Sequence, residues 1–236
     1  MKIIYYPESQ RGANKMEWLD SKFSFSFANY HDPAKIHFGA LRVLNDDSVS
    51  PSMGFGMHPH DNMEIVTIIL EGELQHKDSM GHIAVIKAGE VQHMTAGTGI
   101  THSEINSSKT QTCKLLQLWV FPRAHNLIPS YDQRFFDAFG RQNQWQYLVT
   151  PNGGDAIKAE QKTYFVRNEM ESSSTTSYDL HGEYQGAYVF VIEGTVEVNG
   201  HLLRRRDAIG IWEVDRLNFT AEFGADVLII EVPMRW

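Results

Sequence analysis

Short apolar segments, each bounded by turn residues, recur along most of this chain. Several of them alternate apolar with polar residues, which is the pattern of a strand buried on one face. Beyond residue 64 they follow one another at short, even intervals and cover residues 65–70, 73–77, 83–86, 91–95, 102–106 and 115–121. Many short strands with regular turns are typical of a β-sandwich or a β-barrel. The pattern therefore predicts an all-β fold.

Two segments outside this series are less regular. Residues 23–27 read Phe-Ser-Phe-Ser-Phe, which predicts a strand with its aromatic rings on one face, in a core or in the wall of a pocket. Residues 131–140 predict either one short helix or a connector. A change of composition at residues 141–144, Arg-Gln-Asn-Gln, indicates a link between two domains.

The second half of the chain repeats the pattern of the first. Residues 69–74, Ile-Leu-Glu-Gly-Glu-Leu, resemble residues 191–196, Val-Ile-Glu-Gly-Thr-Val. The repeat predicts two tandem β-barrel domains, at residues 1–132 and 133–236. The second copy has no His-x-His pair before its Glu-Gly turn, and its His181 and His201 stand too isolated in sequence to build a site. We therefore expect the second domain to lack metal ligands.

Composition and charge exclude several classes of protein. Hydrophobic residues make up 42% of the chain, enough for a core, which excludes wholesale disorder. A net charge of -8 argues against direct nucleic-acid binding, and we expect the short basic run at residues 204–206 to be an exposed hairpin edge. A single cysteine, Cys113, excludes an intramolecular disulfide. With no leader-like segment and no long apolar run, the sequence predicts a cytoplasmic protein without membrane contact.

Side chains of metal-ligand type occur in two closely spaced pairs. His58 and His60 are two residues apart, and so are His102 and Glu104. On a strand, residues i and i+2 point to the same face, about 6.6 Å apart. If two such strands face each other, imidazole nitrogens and a carboxylate oxygen meet around one point. This donor set suits a divalent transition metal.

Several longer motifs are more specific than these pairs. They read Phe-Ser-Phe-Ala-Asn-Tyr at residues 25–30, Leu-Arg-Val-Leu-Asn-Asp-Asp at 41–47, His-Pro-His at 58–60, Asp-Ser-Met-Gly at 78–81 and Met-Thr-Ala-Gly-Thr-Gly-Ile-Thr-His-Ser-Glu at 94–104. Together they resemble the pirin family, whose members are two-domain proteins of the cupin superfamily. The resemblance covers nearly the whole chain and is strongest in the first half.

The resemblance implies a bicupin whose N-terminal cupin domain holds one metal ion. By motif position the ligands are His58, His60, His102 and Glu104. Glu64 has the place of the ligating glutamate in ordinary cupins, whereas pirins use the carboxylate two residues after the later histidine. Glu64 is then a supporting or structural acid. The ion implied is Fe²⁺, and the same donor set also accepts Cu, Ni, Co, Mn or Zn.

The resemblance also implies an activity. Several pirins are similar to quercetin 2,3-dioxygenases, which use O₂ to open the heterocycle of a flavonol such as quercetin. Glu104 is then the general base that takes the proton of the 3-hydroxyl group. A small aromatic substrate needs a hydrophobic mouth, and the candidates, each of which could instead be core, are Phe27, Phe55, Met57 and Met94.

Two other functions are compatible with the same residues. One is a metal- or redox-responsive regulator that binds a protein partner, as a transcriptional co-regulator does. The other is a different cupin reaction on another small molecule. The dioxygenase is the first hypothesis, because three histidines and a glutamate leave room on a metal ion for two more ligands.

Overall fold

The computed structural model describes residues 1–235, and these residues form strands and turns with no α-helix. Two 3-10 turns are present, Glu8–Gln10 and Ala138–Arg141. The strands, in chain order, are β1 Lys2–Tyr6, β2 Gly12–Lys15, β3 Leu19–Phe23, β4 Leu41–Val49, β5 Gly54–His60, β6 Glu64–Glu71, β7 Glu73–Asp78, β8 Ile83–Lys87, β9 Glu90–Thr95, β10 Ile100–Ile105, β11 Cys113–Val120, β12 Ser130–Phe135, β13 Gln146–Thr150, β14 Ile157–Lys158, β15 Tyr164–Met170, β16 Ser174–Asp179, β17 Gln185–Val198, β18 His201–Arg204, β19 Ala208–Trp212, β20 Arg216–Ala221 and β21 Ala225–Pro233.

The strands build two barrels in tandem, which confirms the predicted all-β fold. The first barrel has one sheet in the order β12-β9-β6-β11-β4-β3-β2 and a second in the order β5-β10-β7-β8. The second barrel has the order β1-β19-β17-β21-β15-β13-β14, with β16, β18 and β20 joined to it through the long strand β17. β1 pairs with β19 from Lys2↔Trp212 to Tyr6↔Ala208, so the first strand of the chain belongs to the second barrel.

The structure excludes the helix that is one of the two predictions for the connection between the barrels. Residues 131–140 are not a helix, because residues 130–135 form β12, which pairs with β9 at the edge of the first barrel. A 3-10 turn at Ala138–Arg141 follows. The boundary predicted after residue 132 falls inside β12. The segment at residues 141–144 leads from that turn towards β13.

A large apolar core lies between the two barrels, and a second core fills the C-terminal barrel. β17 contributes side chains to both cores, because its side chains alternate between the two faces of the sheet. Tyr188 and Phe190 join the core between the barrels, and Val189 and Val191 join the core of the second barrel. A strand that is buried on both faces needs apolar residues at consecutive positions, as this stretch of β17 has.

Two expectations about exposed and aromatic segments are corrected by the packing. Residues 23–27 do not form one strand, because β3 ends at Phe23 and the rings then diverge. Phe25 packs in the core between the barrels, whereas the ring centroids of Phe23 and Phe27 lie 5.4 Å apart beside a cavity. The basic run at residues 204–206 is only partly exposed. Arg206 is buried and lies 3.0 Å from Asp46 of the first barrel.

No helix among the described residues has the length and apolar character that a bilayer crossing requires.

Candidate metal centre

Neighbouring strands of the first barrel carry the two pairs of ligand-type residues. β5 and β10 are antiparallel, with His58 opposite His102 and Phe55 opposite Glu104. Between these two positions β10 advances by two residues and β5 by three, so β5 contains a bulge. The extra residue allows Phe55 and His58, three positions apart, to line the same cavity.

Three histidine side chains converge in the first barrel. One ring nitrogen from each of His58, His60 and His102 lies within 4.8 Å of the others, and the ring centroids are 4.4 to 4.9 Å apart. Glu104 stands outside this group of atoms. It is buried and lines the same cavity as His58 and His60.

Hydrogen bonds determine which nitrogen of His58 is available. The Nδ1 atom of His58 lies 2.8 Å from the carbonyl oxygen of Gly56, which can only accept. Nδ1 therefore carries the proton and donates it, and the Nε2 atom keeps its lone pair for another partner.

A hydrogen-bonded series of three side chains determines which nitrogen of His102 is unprotonated. The Nε2 atom of His76 lies 3.0 Å from the Asp78 carboxylate and donates to it, so Nδ1 of His76 is an acceptor. That Nδ1 lies 3.4 Å from Nδ1 of His102, which must donate. Nε2 of His102 is then unprotonated, and it is buried without a hydrogen-bond partner among the described residues.

The carboxyl group of Glu104 is oriented by a second chain of donors. The indole N–H of Trp119 donates to Oε1 of Gln117 at 3.2 Å, and Nε2 of Gln117 donates to Oε2 of Glu104 at 2.8 Å. Oε1 of Glu104 is buried, and no partner for it lies within residues 1–235. Leaving a buried polar atom unpaired costs about 1–3 kcal/mol, which a bound ion would offset.

Burial keeps two of the imidazoles neutral, as metal binding needs, but it opposes the ionisation of Glu104, which a bound cation would have to favour. Burial lowers the pKa of His60 to about 4 and that of His102 to about 2, so both imidazoles are neutral near pH 7. Burial raises the pKa of Glu104 to about 7, although the hydrogen bond from Gln117 opposes the shift. The three converging imidazoles, with the carboxyl group of Glu104 beside the same cavity, are side chains of the type that suits a divalent transition metal.

A cavity of about 300 Å³ adjoins the histidines. Of the four pocket residues that the sequence suggests, Phe27 and Phe55 line it. The two methionines lie elsewhere: Met57 is 57% exposed, and Met94 is fully buried in a core cluster with Ile65 and Ile100, which is the alternative that the sequence left open for it.

Further lining residues were missed by the sequence reasoning. Most are aromatic or polar side chains, namely Trp18 just before β3 and, on the larger sheet, Asn45, Asp47, Gln117 and Trp119. Phe23, whose ring the sequence predicts to lie in a core or a pocket wall, also lines the cavity. A signal for two of them exists in the sequence, because Gln117 interrupts an otherwise apolar strand and Trp119 shares its face at i+2.

Glu64 and His93 lie away from the histidine cluster, where the two barrels meet. The Glu64 carboxylate accepts the backbone N–H groups of Glu160 and Gln161, both at 2.7 Å, and lies 2.9 Å from Nε2 of His93. Both oxygens of Glu64 therefore already accept hydrogen bonds at the contact between the barrels. Glu64 thus has a structural role.

Comparison with known proteins finds relatives that match almost the whole chain. The Pirin family matches residues 7–120, and the quercetinase C-terminal cupin domain matches residues 147–232. A quercetin 2,3-dioxygenase of Escherichia coli K12 is 38% identical over 233 residues, which cover 98% of this chain and 99% of that protein. A pirin-like protein of Caulobacter vibrioides is 34% identical and covers 95% of this chain and 97% of its own length.

A solved structure shares the fold along the full length. The crystal structure of the bacterial pirin YhhW of Escherichia coli in complex with nickel(II) superposes with a TM-score of 0.93 at 36% identity, and the match covers 98% of this chain and 99% of that one. Because the likeness extends through both barrels in sequence as well as in structure, this chain belongs to the pirin family, within the cupins.

Proposed function

We propose that this chain is a metal-dependent dioxygenase that opens the heterocycle of a flavonol such as quercetin. The observation that carries the proposal is a pair of buried atoms without partners in the described structure, Nε2 of His102 and Oε1 of Glu104, beside an aromatic cavity. The relative from Escherichia coli K12 that is named quercetin 2,3-dioxygenase supports the same activity.

In this proposal His58, His60, His102 and Glu104 hold one divalent ion, Fe²⁺ in the first instance. The ion supplies Lewis acidity and redox capacity at the coordination positions that four protein ligands leave open. The nickel(II) complex of YhhW supports a divalent ion in this fold without deciding which ion serves here.

The cavity residues give the substrate its orientation. Phe27, Phe55 and Trp119 offer aromatic faces and edges to a planar ring system, and a volume of about 300 Å³ lies at the lower end of small-molecule sites. The apolar walls also exclude water from the reacting hydroxyl group. This arrangement favours an aromatic substrate over a sugar or an amino acid.

Glu104 handles the proton. Its Oε2 atom is held as an acceptor by Gln117, so the proton is carried on Oε1. In the chain without an ion, burial raises the pKa of Glu104 to about 7, so a carboxylate released from the ion could accept the proton of a flavonol hydroxyl on Oε1 and return it later.

The test uses protein freed of metal and reloaded anaerobically with Fe²⁺, Cu²⁺, Ni²⁺, Co²⁺, Mn²⁺ or Zn²⁺ in separate samples. Quercetin and O₂ are then added, and loss of flavonol absorbance and release of carbon monoxide are followed. We expect turnover with at least one ion and none without metal. If no ion supports turnover although each one binds, the dioxygenase proposal is wrong.

A matched pair of variants locates the proton transfer. Glu104→Gln keeps the shape and the bond from Gln117 but cannot take a proton, so kcat should fall about 10²- to 10⁴-fold. Asp61→Asn changes an exposed carboxylate beside His60 and should leave kcat within a factor of about two. Equal activity of both variants and the parent would exclude Glu104 as the base.

A further inference from the structure

A second cluster of titratable side chains lies in the C-terminal barrel, and it contradicts the expectation that His181 is isolated. Its centre is Glu231 of β21, which is fully buried. Oε2 of Glu231 accepts the hydroxyl of Tyr178 at 2.7 Å and the Nδ1–H of His181 at 2.9 Å. Oε1 accepts the backbone N–H of His181 at 2.7 Å. The cluster could not be found from spacing, because Glu231 lies 53 residues from Tyr178 and 50 residues from His181 along the chain.

The carboxylate fixes the tautomer of His181. Because Nδ1 donates to Glu231, Nε2 keeps its lone pair and acts as an acceptor. The hydroxyl of Tyr147 donates to this Nε2 over 3.3 Å, and the ring of Tyr164 stacks on the imidazole with centroids 3.8 Å apart. A hydroxyl hydrogen bond is usually 2.7–2.8 Å long, so the bond from Tyr147 is weak and open to competition.

A cavity of about 570 Å³ opens beside these rings. Phe136, Tyr147, Tyr164 and His181 form its aromatic wall, and Asp155 is the one carboxylate or cationic side chain among its described lining residues. With a carboxylate at the mouth and no lysine or arginine, the cavity disfavours anions. Its volume falls within the range of small-molecule sites.

We infer that this cavity is a second ligand site, which takes a neutral phenol whose hydroxyl group replaces that of Tyr147 on Nε2 of His181. A phenol already makes this bond within the protein, so the chemistry of the acceptor is matched to such a donor. The aromatic walls hold the ring, and the buried Glu231 strengthens His181 as an acceptor. The site is independent of the proposed dioxygenase function, because it lies in the other barrel and needs no metal.

The test is an NMR titration of the full-length, isotope-labelled chain with phenol and, in parallel, with anisole. Anisole has the same ring but a methyl ether in place of the O–H group. We expect phenol to shift the ring signals of His181 and the amides around residues 147–156, and to bind about 2- to 10-fold more tightly than anisole, the worth of one hydrogen bond. Shifts confined to the neighbourhood of His58 and Trp119 would overturn the inference.

Two variants act in opposite directions. Tyr147→Phe removes the competing hydroxyl and keeps the ring, so phenol should bind about 2- to 10-fold more tightly, with little change for anisole. His181→Phe keeps the stacking on Tyr164 and removes the acceptor, so the preference for phenol over anisole should disappear.

One further variant is the control, and each result has a defined meaning. Asp61→Asn changes an exposed residue of the first barrel and should leave the phenol-induced shifts of His181 unchanged. Because His181→Phe leaves the Glu231 carboxylate with fewer donors, its fold is checked by thermal unfolding, and Tyr147→Phe decides the question if it does not fold. Weaker phenol binding by Tyr147→Phe would refute the displacement of its hydroxyl.

Discussion

In the proposed metal centre, residues outside the ligand set determine that Nε2 of His102 is unprotonated. Asp78 accepts a hydrogen bond from His76, and His76 accepts one from His102, so a carboxylate two side chains away sets the tautomer of His102. Asp78 is itself held by the backbone N–H groups of Met80 and His82, at 2.9 and 3.0 Å. Partners of this kind orient a metal ligand and raise its basicity.

The first prediction concerns His76. His76→Leu removes the acceptor for Nδ1–H of His102, so the metal should bind about 10- to 100-fold more weakly. His76→Gln offers a carbonyl to His102 and an N–H to Asp78, and it should restore most of the affinity. Competition against a chelator measures both. Equal losses in the two variants would show that packing, and not the tautomer, is what His76 provides.

The second prediction concerns Asp47, which lines the cavity and accepts the hydroxyl of Ser21. Burial raises its pKa to about 7, above the usual value of about 3.9 for an aspartate. The folded state therefore binds more protons than the unfolded state between these pH values, and stability falls as pH rises from about 4 to 7. Asp47→Asn should remove this slope, about 1.4 kcal/mol per pH unit at its steepest.

Denaturant unfolding at pH 5 and pH 8 measures the effect. The difference in unfolding free energy between the two pH values should be smaller in Asp47→Asn than in the parent chain, and the variant should be the more stable of the two at pH 8. An unchanged pH dependence would mean that Asp47 is ionised in the folded protein.

Among the elements, β5 is the strand in which the alternation of side chains predicts only part of the arrangement. The i, i+2 rule predicts that His58 and His60 share a face, and their ring centroids lie 4.9 Å apart. The same rule would put Met57 and Phe55 together on the opposite face. The bulge breaks that alternation, so Phe55 lines the cavity and Met57 is exposed. A bulge depends on the pairing with β10, which no single segment of the sequence reveals.

Gly54, at the start of β5, gives the third prediction. A Cβ atom there would lie 2.1 Å from the carbonyl oxygen of Glu104 and 2.6 Å from Cα of Ile105. Gly54→Ala should therefore push β5 and β10 apart, lower stability by about 1–3 kcal/mol and weaken metal binding, since Glu104 moves.

The control for Gly54→Ala is Gly56→Ala in the same strand. A Cβ at Gly56 has no heavy atom within 4 Å outside its immediate neighbours. Thermal unfolding and metal affinity should change little in this variant. If both variants behave alike, close contact between the strands is not what requires glycine at position 54.

For the whole molecule, the joint between the barrels depends on a few polar residues set into a large apolar core. Glu64 belongs to the first barrel and binds backbone N–H groups of Glu160 and Gln161. Asp46 of the first barrel lies within 3.3 Å of Arg11 and 3.0 Å of Arg206. These contacts fix the register of two surfaces that apolar packing alone would hold less specifically.

The fourth prediction concerns Glu64. Glu64→Gln replaces a carboxylate oxygen by an N–H donor that faces backbone N–H groups, and it should lower stability by about 3 kcal/mol. Metal affinity should stay near that of the parent chain, because Glu64 is bound elsewhere. Denaturant unfolding and chelator competition measure the two effects, and Glu71→Gln, at an exposed position, is the control. Loss of metal with unchanged stability would make Glu64 the ligand.

The sequence predicted the two barrels and the histidine pairs because both follow from local periodicity and a repeat. It did not predict the strand at residues 130–135, whose side chains are half-buried and alternate weakly. Nor did it predict the partners of Glu64 or of Glu231, which lie 96 and 50 residues away along the chain. Contacts of that range depend on how finished barrels pack, and no short window of sequence contains them.

β1 also sets an order of events during synthesis. Lys2 leaves the ribosome more than two hundred residues before Trp212, its partner in the sheet. Protein synthesis proceeds at about 5–20 residues per second, so β1 stays unpaired for on the order of 10–40 seconds while the first barrel is completed. A nascent chain must therefore keep an unpaired strand from joining the wrong sheet. If the chain is cut between the barrels, the second barrel should fold only when both fragments are present, because the N-terminal fragment supplies its strand β1.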